Sequence, residues 1–379
     1  MKLICTQENL NKAISIVGKI INKNTTLPIL NNVLLKTEKG RLKLTSTNLE
    51  LGVDYWVGGK IEEEGEITIP TKLFANFISS IPNGNVEMKL KGDVLRIKCG
   101  RYKTNIKGVD AKEYPLTPKI EMKPIFKARS FEFKQALLQV IPSISSSESR
   151  VEITGVFMNL SKLNKNRLIL AATDSYRLAE KTLDLEKDGA DKETIDLLKD
   201  IKSVIIPKDT VQEIVRDLGD EDEMVEVTIS ESQILFSFGN ASVISRLIEG
   251  KYPDYQQVIP SKFESEVKIR IDETANAIKV ASLFTDASSN SIELKLLPKL
   301  KALEIGAETG EIGSNSAKVP AEISGSELNV IYNYKYLLDG FNSISGDQAV
   351  LKVNGEGMPT VLTSDTDKSF LYVIMSIRS

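Results

Sequence analysis

Apolar and polar residues run along the chain in three rounds of one pattern. Each round opens with a segment expected to be a short alternating strand followed by a helix: KLICTQENLNKAISIV from Lys2, SFEFKQALLQVI from Ser130 and VKIRIDETANAIKVASLF from Val267. A hairpin with a polar turn comes next. It is RLKLTSTNLELGVDY from Arg41, RLILAATDSYRLAEKT from Arg167 and, more weakly, KALEIGAETGEIG from Lys301. A strand then runs straight into a second helix in ITIPTKLFANFISSI, VIIPKDTVQEIVRDL and NVIYNYKYLLDGFNSI. Pro70 and Pro207 stand at the helix start, where a missing N–H costs nothing, and Asn333 takes that place in the third round. Strands follow at Val86, Val225 and Ala349, and each round closes with two more. Glu113-Tyr114-Pro115 and Lys251-Tyr252-Pro253 punctuate the first two ends. The pattern predicts β-α-β-β-β-β-α-β-β-β, repeated every ~126 residues. It implies an α+β fold of three similar domains, residues 1–125, 126–253 and 254–379, each with two helices and antiparallel sheets. The stretch from Asp184 to Asp200 reads as an inserted exposed helix or loop, and the acidic run from Gly219 to Glu223 as a solvated turn.

The helices carry a second regularity. Leu10, Ile14, Val17 and Ile21 form one stripe of the first helix, while Lys12, Lys19 and Lys23 fall on the other side. After Pro70, Phe74, Phe77, Ile78 and Ile81 face inward, and Lys72, Asn76 and Ser79 outward. After Pro207, Val211, Ile214, Val215 and Leu218 face inward, and Lys208, Gln212 and Arg216 outward; Lys335 has the matching place in the third copy. Any one of these lysines reads as an ordinary solvated residue. Recurrence in three copies suits a phosphate backbone. No aromatic residues interleave with them, so base stacking is not suggested.

Composition narrows the chemistry. The 379 residues are 41% hydrophobic and 27% charged, as in soluble globular domains. No apolar run approaches the ~18–20 residues of a membrane-spanning helix. The first residues lack the apolar core of a signal peptide, so a cytoplasmic protein is expected. Cys5 and Cys99 are too few and too far apart to suggest a disulfide framework or a thiolate metal site. The chain has no histidine, which removes the commonest general base and excludes Ser-His-Asp and Cys-His chemistry. Val57-Gly58-Gly59-Lys60 lacks the upstream glycine of a phosphate loop. Paired-carboxylate hydrolysis is left open by composition, but tandem repetition and the lack of a motif at a strand end weigh against it. A repeat-built surface scaffold is opposed by the missing signal peptide.

Charge separates the copies. Residues 1–125 carry 20 Lys+Arg against 13 Asp+Glu, net +7; residues 126–253 and 254–379 are each net −5. A basic first copy and an acidic third favour head-to-tail contact between chains, which closes into a ring when the rotation allows.

Four segments carry a family resemblance: TLPIL at Thr26–Leu30, ATDSYRLA at Ala172–Ala179, GKYPDYQQVIP at Gly250–Pro260 and YVIMSIR at Tyr372–Arg378. Over its whole length the sequence resembles the bacterial sliding clamp, the β subunit of DNA polymerase III. The resemblance implies three similar domains forming half of a six-domain ring, completed by a second copy in a homodimer. Double-stranded DNA would thread the hole without sequence preference. The clamp would tether the DNA polymerase III catalytic subunit and other proteins bearing a clamp-binding motif, be opened by a clamp loader, and catalyse nothing. No cofactor, metal or membrane is implied.

The family's partner-peptide pocket maps onto Ile153, Thr173, Ser175, Tyr176, Arg177, Leu178, Pro253, Val258, Met358, Thr360, Val373, Met375, Ile377 and Arg378. Family DNA-contact positions map onto Asn24, with Lys23 adjacent, Lys72, Arg150 and Lys208, to which the helix faces add Lys12 and Lys19; the dimer edges map onto Arg101, Lys103 and Ile106 against Leu283, Phe284 and Glu308. The chain departs from the family in places. It ends Met375-Ser376-Ile377-Arg378-Ser379 where Met-Pro-Met-Arg-Leu is frequent, and has Gln256-Gln257 where some members carry arginine. Asn24 stands where arginine is frequent, and Thr104 where an aromatic can occur.

Overall fold

The computed structural model describes residues 1–20, 27–115, 120, 122–186, 201–219, 223–286, 289–310 and 313–378. Ile21, Lys23, Asn24, most of the inserted segment after Asp184 and the middle of the 219–223 turn lie outside the described residues.

The first copy contains β1 (Lys2–Thr6), α1 (Gln7–Val17), β2 (Asn32–Glu38), β3 (Arg41–Thr47), β4 (Leu51–Gly58), β5 (Lys60–Glu63), β6 (Glu66–Pro70), α2 (Thr71–Ser80), β7 (Asn85–Lys91), β8 (Val94–Cys99) and β9 (Tyr102–Lys107). The second has β10 (Phe126–Arg129), α3 (Ser130–Val140), β11 (Gly155–Asn159), β12 (Arg167–Thr173), β13 (Arg177–Asp184), β14 (Ser203–Pro207), α4 (Lys208–Asp217), β15 (Met224–Ile229), β16 (Gln233–Phe238) and β17 (Ala241–Arg246). The third has β18 (Ser265–Arg270), α5 (Ile271–Ala281), β19 (Ser291–Leu297), β20 (Ala302–Thr309), β21 (Gly313–Gly325), β22 (Leu328–Asn333), α6 (Tyr334–Ser343), β23 (Gln348–Val353), β24 (Pro359–Ser364) and β25 (Phe370–Met375). The second and third copies follow the expected order, and the first adds one short strand, β5.

That extra strand has a physical origin. In the third copy β21 is one 13-residue strand whose first part pairs with β20 and whose last part pairs with β18. Pro320, which has no N–H to donate, stands beside the change of partner, opposite Ala302, with Ala321 already opposite Ile269. In the first copy the same path is cut in two at Gly58-Gly59: β4 pairs with β3, and β5 pairs with β1. A Cβ on Gly59 would stand 2.6 Å from the Ile4 carbonyl oxygen, so only glycine lets the chain cross β1 there. The Val57–Lys60 run is thus a passage between two strands.

Helix boundaries follow local chemistry. Thr6 caps α1 by accepting from the Asn9 N–H, and the helix stops at Gly18, so Lys19 lies in a short 3-10 turn beyond it rather than on the longer helix predicted. Pro70 and Pro207 are the last strand residues before α2 and α4, and Asn333 caps α6 by accepting from the Lys335 N–H. The predicted strand at the start of SFEFKQALLQVI is corrected: β10 ends at Arg129 and Ser130 begins α3. Ser-Phe-Glu-Phe alternates like a strand, but Phe133, Ala136, Leu137 and Val140 are all buried, at helical spacing.

Grouped by compactness, the described residues form two units that do not follow the three copies. One contains Met1–Phe131 and Gln212–Leu247, the other Glu132–Leu185 and Ile248–Ser379. In the first unit, β17 of the middle copy pairs antiparallel with β4 of the first, with Val243 opposite Val53, giving the sheet β10-β15-β16-β17-β4-β3-β2-β6. A second sheet, β5-β1-β7-β8-β9, completes the first copy. Leu10, Ile14, Phe74 and Ile78 of α1 and α2 lie in its core. In the second unit, β25 of the third copy pairs with β13 of the middle copy, Tyr372 opposite Ala179, within the twelve-stranded β14-β11-β12-β13-β25-β24-β23-β18-β21-β20-β19-β22. Ile278, Tyr332, Leu337, Phe341 and Tyr372 fill that core. No helix among the described residues is long and apolar enough to cross a membrane.

Candidate peptide groove and basic helix faces

The β13–β25 junction builds a groove of about 220 Å³. Its lip is the turn from Thr173 to Arg177. The Asp174 carboxylate accepts from the Tyr176 and Arg177 N–H groups, at 3.0 and 2.9 Å. The Thr173 hydroxyl accepts from the Ser175 N–H at 3.1 Å and donates to the Arg177 carbonyl at 2.6 Å. These bonds hold Ser175 at φ +78, a left-handed conformation unusual for a residue with a side chain. The Met375 N–H donates to the Tyr176 carbonyl at 2.9 Å, tying the lip to the last strand. Tyr176 is left 63% exposed.

Beneath the lip lies a hydrophobic floor. Ile153, Ala171, Leu178, Ile205, Tyr252, Tyr255, Val361 and Val373 form one buried cluster. Phe157 stacks on Tyr252 at 4.7 Å, and the Tyr255 ring meets both edge-on. The Tyr255 hydroxyl donates to Glu180 at 2.6 Å; burial, with the Glu180 charge, drives its pKa well above the ordinary tyrosine value.

Of the pocket residues expected from the sequence, Thr173, Ser175, Tyr176, Arg177, Leu178, Pro253, Val258, Val373 and Met375 line this one groove. Five do not line it. Ile153 lies in the floor cluster. Thr360 is fully buried, its hydroxyl 2.5 Å from that of Tyr332. Ile377 donates its N–H to the Ile331 carbonyl, and Met358 and Arg378 flank Gly357. These last three act on how the terminal segment is seated.

Arg177 has a different place from that of a free peptide anchor. Its guanidinium donates to Asp174 at 2.9 Å and to Asp339 of α6, and lies 4.3 Å over the Tyr336 ring. Arg150, assigned to DNA from the sequence, lines the groove and donates to Ser175 at 3.1 Å and to Glu152 at 3.0 Å. Asp254 and Tyr255 also line it and were missed, although both lie in the GKYPDYQQVIP segment that carries the resemblance. Asp339 and Tyr336 left no sequence signal, being some 160 residues from Arg177.

The basic faces are partly spoken for. Lys12 on α1 and Lys72 on α2 are exposed on helices that pack together. Lys208 is half-buried at the start of α4. Lys19 reaches Asp217 at 3.3 Å, so part of its charge is met within the chain. Glu213 and Asp217, four residues apart on α4, both have side chains withdrawn from solvent beside Arg216 and Lys19, and burial raises both pKa values.

Of the edge residues, Arg101 and Lys103 are exposed beside β9, while Ile106 is buried in its own sheet. Leu283 is 71% exposed, Phe284 half-buried, and Glu308 lines a cavity with Glu293, Lys295 and Glu304 on the β19–β22 face.

Three family descriptions match in succession: the N-terminal domain of the DNA polymerase III beta subunit over residues 1–118, the central domain over 128–254 and the C-terminal domain over 256–378. The beta sliding clamp of Bacillus subtilis is 28% identical over the full length of both chains, and that of a Synechocystis species 27% over 100% of this chain and 99% of its own. The crystal structure of the DNA polymerase sliding clamp from Bacillus subtilis superimposes with a TM-score of 0.92 at 26% identity, covering 100% of this chain and 99% of the other. A putative DNA polymerase III beta subunit from Eubacterium rectale gives 0.91 at 26%, covering both chains completely. With all three domain descriptions met in order along its length, the chain belongs to the DNA polymerase III beta subunit family, the bacterial sliding clamps.

Proposed function

We propose that two copies of this chain close head to tail into a six-domain ring on duplex DNA and hold the replicative polymerase to its template. The chain is a processivity factor of DNA replication and not an enzyme. Its domains are taken as 1–125, 126–253 and 254–379, and its place of work as the cytoplasm.

One observation carries the ring. Within the chain, the last strand of each later copy pairs with the hairpin of the copy before it: β17 with β4, and β25 with β13. The same rule leaves two open edges among the described residues, β9 of the first copy and the first part of β21 in the third. A second chain satisfies both. The internal registers, carried over, set Thr104 of one chain opposite Asn315 of the next, and Tyr102 opposite Ala317. Charge supports the match: Arg101 and Lys103 flank one edge, and Glu304 and Glu308 the other.

Lys12, Lys72 and Lys208, with a contribution from the ion-paired Lys19, would meet phosphates without reading sequence. Lys23 and Asn24 remain candidates of the same kind. The Thr173–Leu178 groove, apolar with a few polar anchors, suits short linear motifs of the polymerase catalytic subunit, the clamp loader and other partners.

The decisive test is topological. Loaded on a nicked circle by a clamp loader, the protein should be retained; linearising that circle should release it from the ends. Equal retention on both forms would overturn the sliding-ring reading.

A further inference from the structure

We propose that the chain carries a second peptide-docking groove, at the β4–β17 junction, which takes a short extended segment of a partner protein with an apolar anchor beside a carboxylate. The proposal rests on the reading of the Thr173–Leu178 groove as a peptide site, and extends it through the internal repeat.

The two lips match bond for bond. The Asn48 side-chain oxygen accepts from the Glu50 and Leu51 N–H groups at 3.0 and 2.7 Å, as Asp174 does in the other. The Thr47 hydroxyl accepts from the Leu49 N–H at 3.0 Å and donates to the Leu51 carbonyl at 2.9 Å, the roles of Thr173. Leu49 has φ +78, the same value as Ser175. The Arg246 N–H donates to the Glu50 carbonyl at 2.9 Å, as that of Met375 does to Tyr176. Pro115 stands for Pro253, and the cavity is about 210 Å³ against 220 Å³.

The chemistry has changed inside the same frame. Gly52 replaces Leu178 and Ile244 replaces Val373, opposite each other in the sheet. The anchor surface is Leu49, 46% exposed, with Ile244 behind it. A leucine held half in water in a left-handed lip wins nothing for its own fold. Charged Glu50 and Arg246 occupy the places of Tyr176 and Met375. Neither is in an ion pair among the described residues. Arg246, at the strand end, selects a carboxylate next to the apolar anchor; Glu50 disfavours a second acidic residue on the far side.

The test uses the full chain and a labelled Gly-Asp-Leu-Phe-Gly peptide with a diazirine on its leucine, mapped by mass spectrometry after photolysis. Two crosslinked patches are expected, one at residues 49–52 and 244–246, the other at 173–178 and 373–375. Arg246→Glu should weaken capture at the first patch about tenfold, with recovery when the peptide's aspartate becomes lysine. Leu49→Ser, which copies the residue tolerated at the same φ in the other lip, should abolish the first patch and leave the second. Crosslinks only at 173–178 would overturn this inference and leave the first groove's reading intact. Crosslinks only at 49–52 would do the reverse, and none at either would overturn both. First-patch labelling indifferent to Arg246→Glu would overturn the charge preference.

Discussion

Glu213 shows how far a side chain's role can lie from its sequence neighbourhood. It sits on α4 between outward-facing Gln212 and inward-facing Ile214, and nothing local says that it is buried. Its surroundings are set by Asp217 one turn on, by Arg216 at 2.9 Å, and by Lys19, almost 200 residues away. Burial first, and then the Asp217 carboxylate, push the Glu213 pKa up to about 7. A carboxyl raised in the folded state binds its proton more tightly there than in the unfolded chain. Its stabilising contribution is therefore complete below the ordinary glutamate range and is lost as pH rises through about 7. Glu213→Gln should flatten that slope: denaturant unfolding should give wild-type stability near pH ~4 and an advantage of about 1–3 kcal/mol near pH ~8. Arg177 carries the same lesson. Its sequence motif marked it as a groove residue, but the partners that fix its guanidinium, Asp339 and Tyr336, come from α6 in the next copy.

At the scale of elements, most of the architecture was legible. Strand-to-helix junctions at Pro70, Pro207 and Asn333 and the three polar-turned hairpins follow from local chemistry alone. The start of α3 did not, because Ser-Phe-Glu-Phe fits both periods and only packing decides between them. The lips could be recognised as turns but not by their φ values, since Leu49 and Ser175 are poor left-handed residues. Their conformation is held by the Thr47–Asn48 and Thr173–Asp174 side chains. A β-branched residue should be resisted there: Ser175→Val is expected to cost about 1–3 kcal/mol in denaturant unfolding, while Ser175→Gly stays within about 1 kcal/mol of the parent.

At the scale of the whole molecule, repetition and charge were both readable. The three copies share a fold, yet the first is net +7 and the other two −5 each. The geometry adds which strands are left open, something composition cannot hold. In light scattering the chain should have about twice its 41.9 kDa mass. Lys103→Glu and Glu308→Lys should each weaken the dimer about five- to tenfold and together restore most of it, with the loss shrinking as salt rises. A lasting monomer at micromolar concentration would count against paired edges.

β21 gives the third copy a property that the first lacks. Because one uninterrupted backbone serves both β20 and β18, freeing its first part cannot be separated cleanly from loosening its last. In native-state hydrogen exchange, amides in residues 313–319 and 321–325 should open with similar free energies, as one cooperative unit. In the first copy, where Gly58-Gly59 divides the same path, β4 and β5 should open separately, with the short edge strand β5 exchanging first. The divided path thus lies at the β4–β17 junction inside the chain, and the continuous one along the open edge of the third copy.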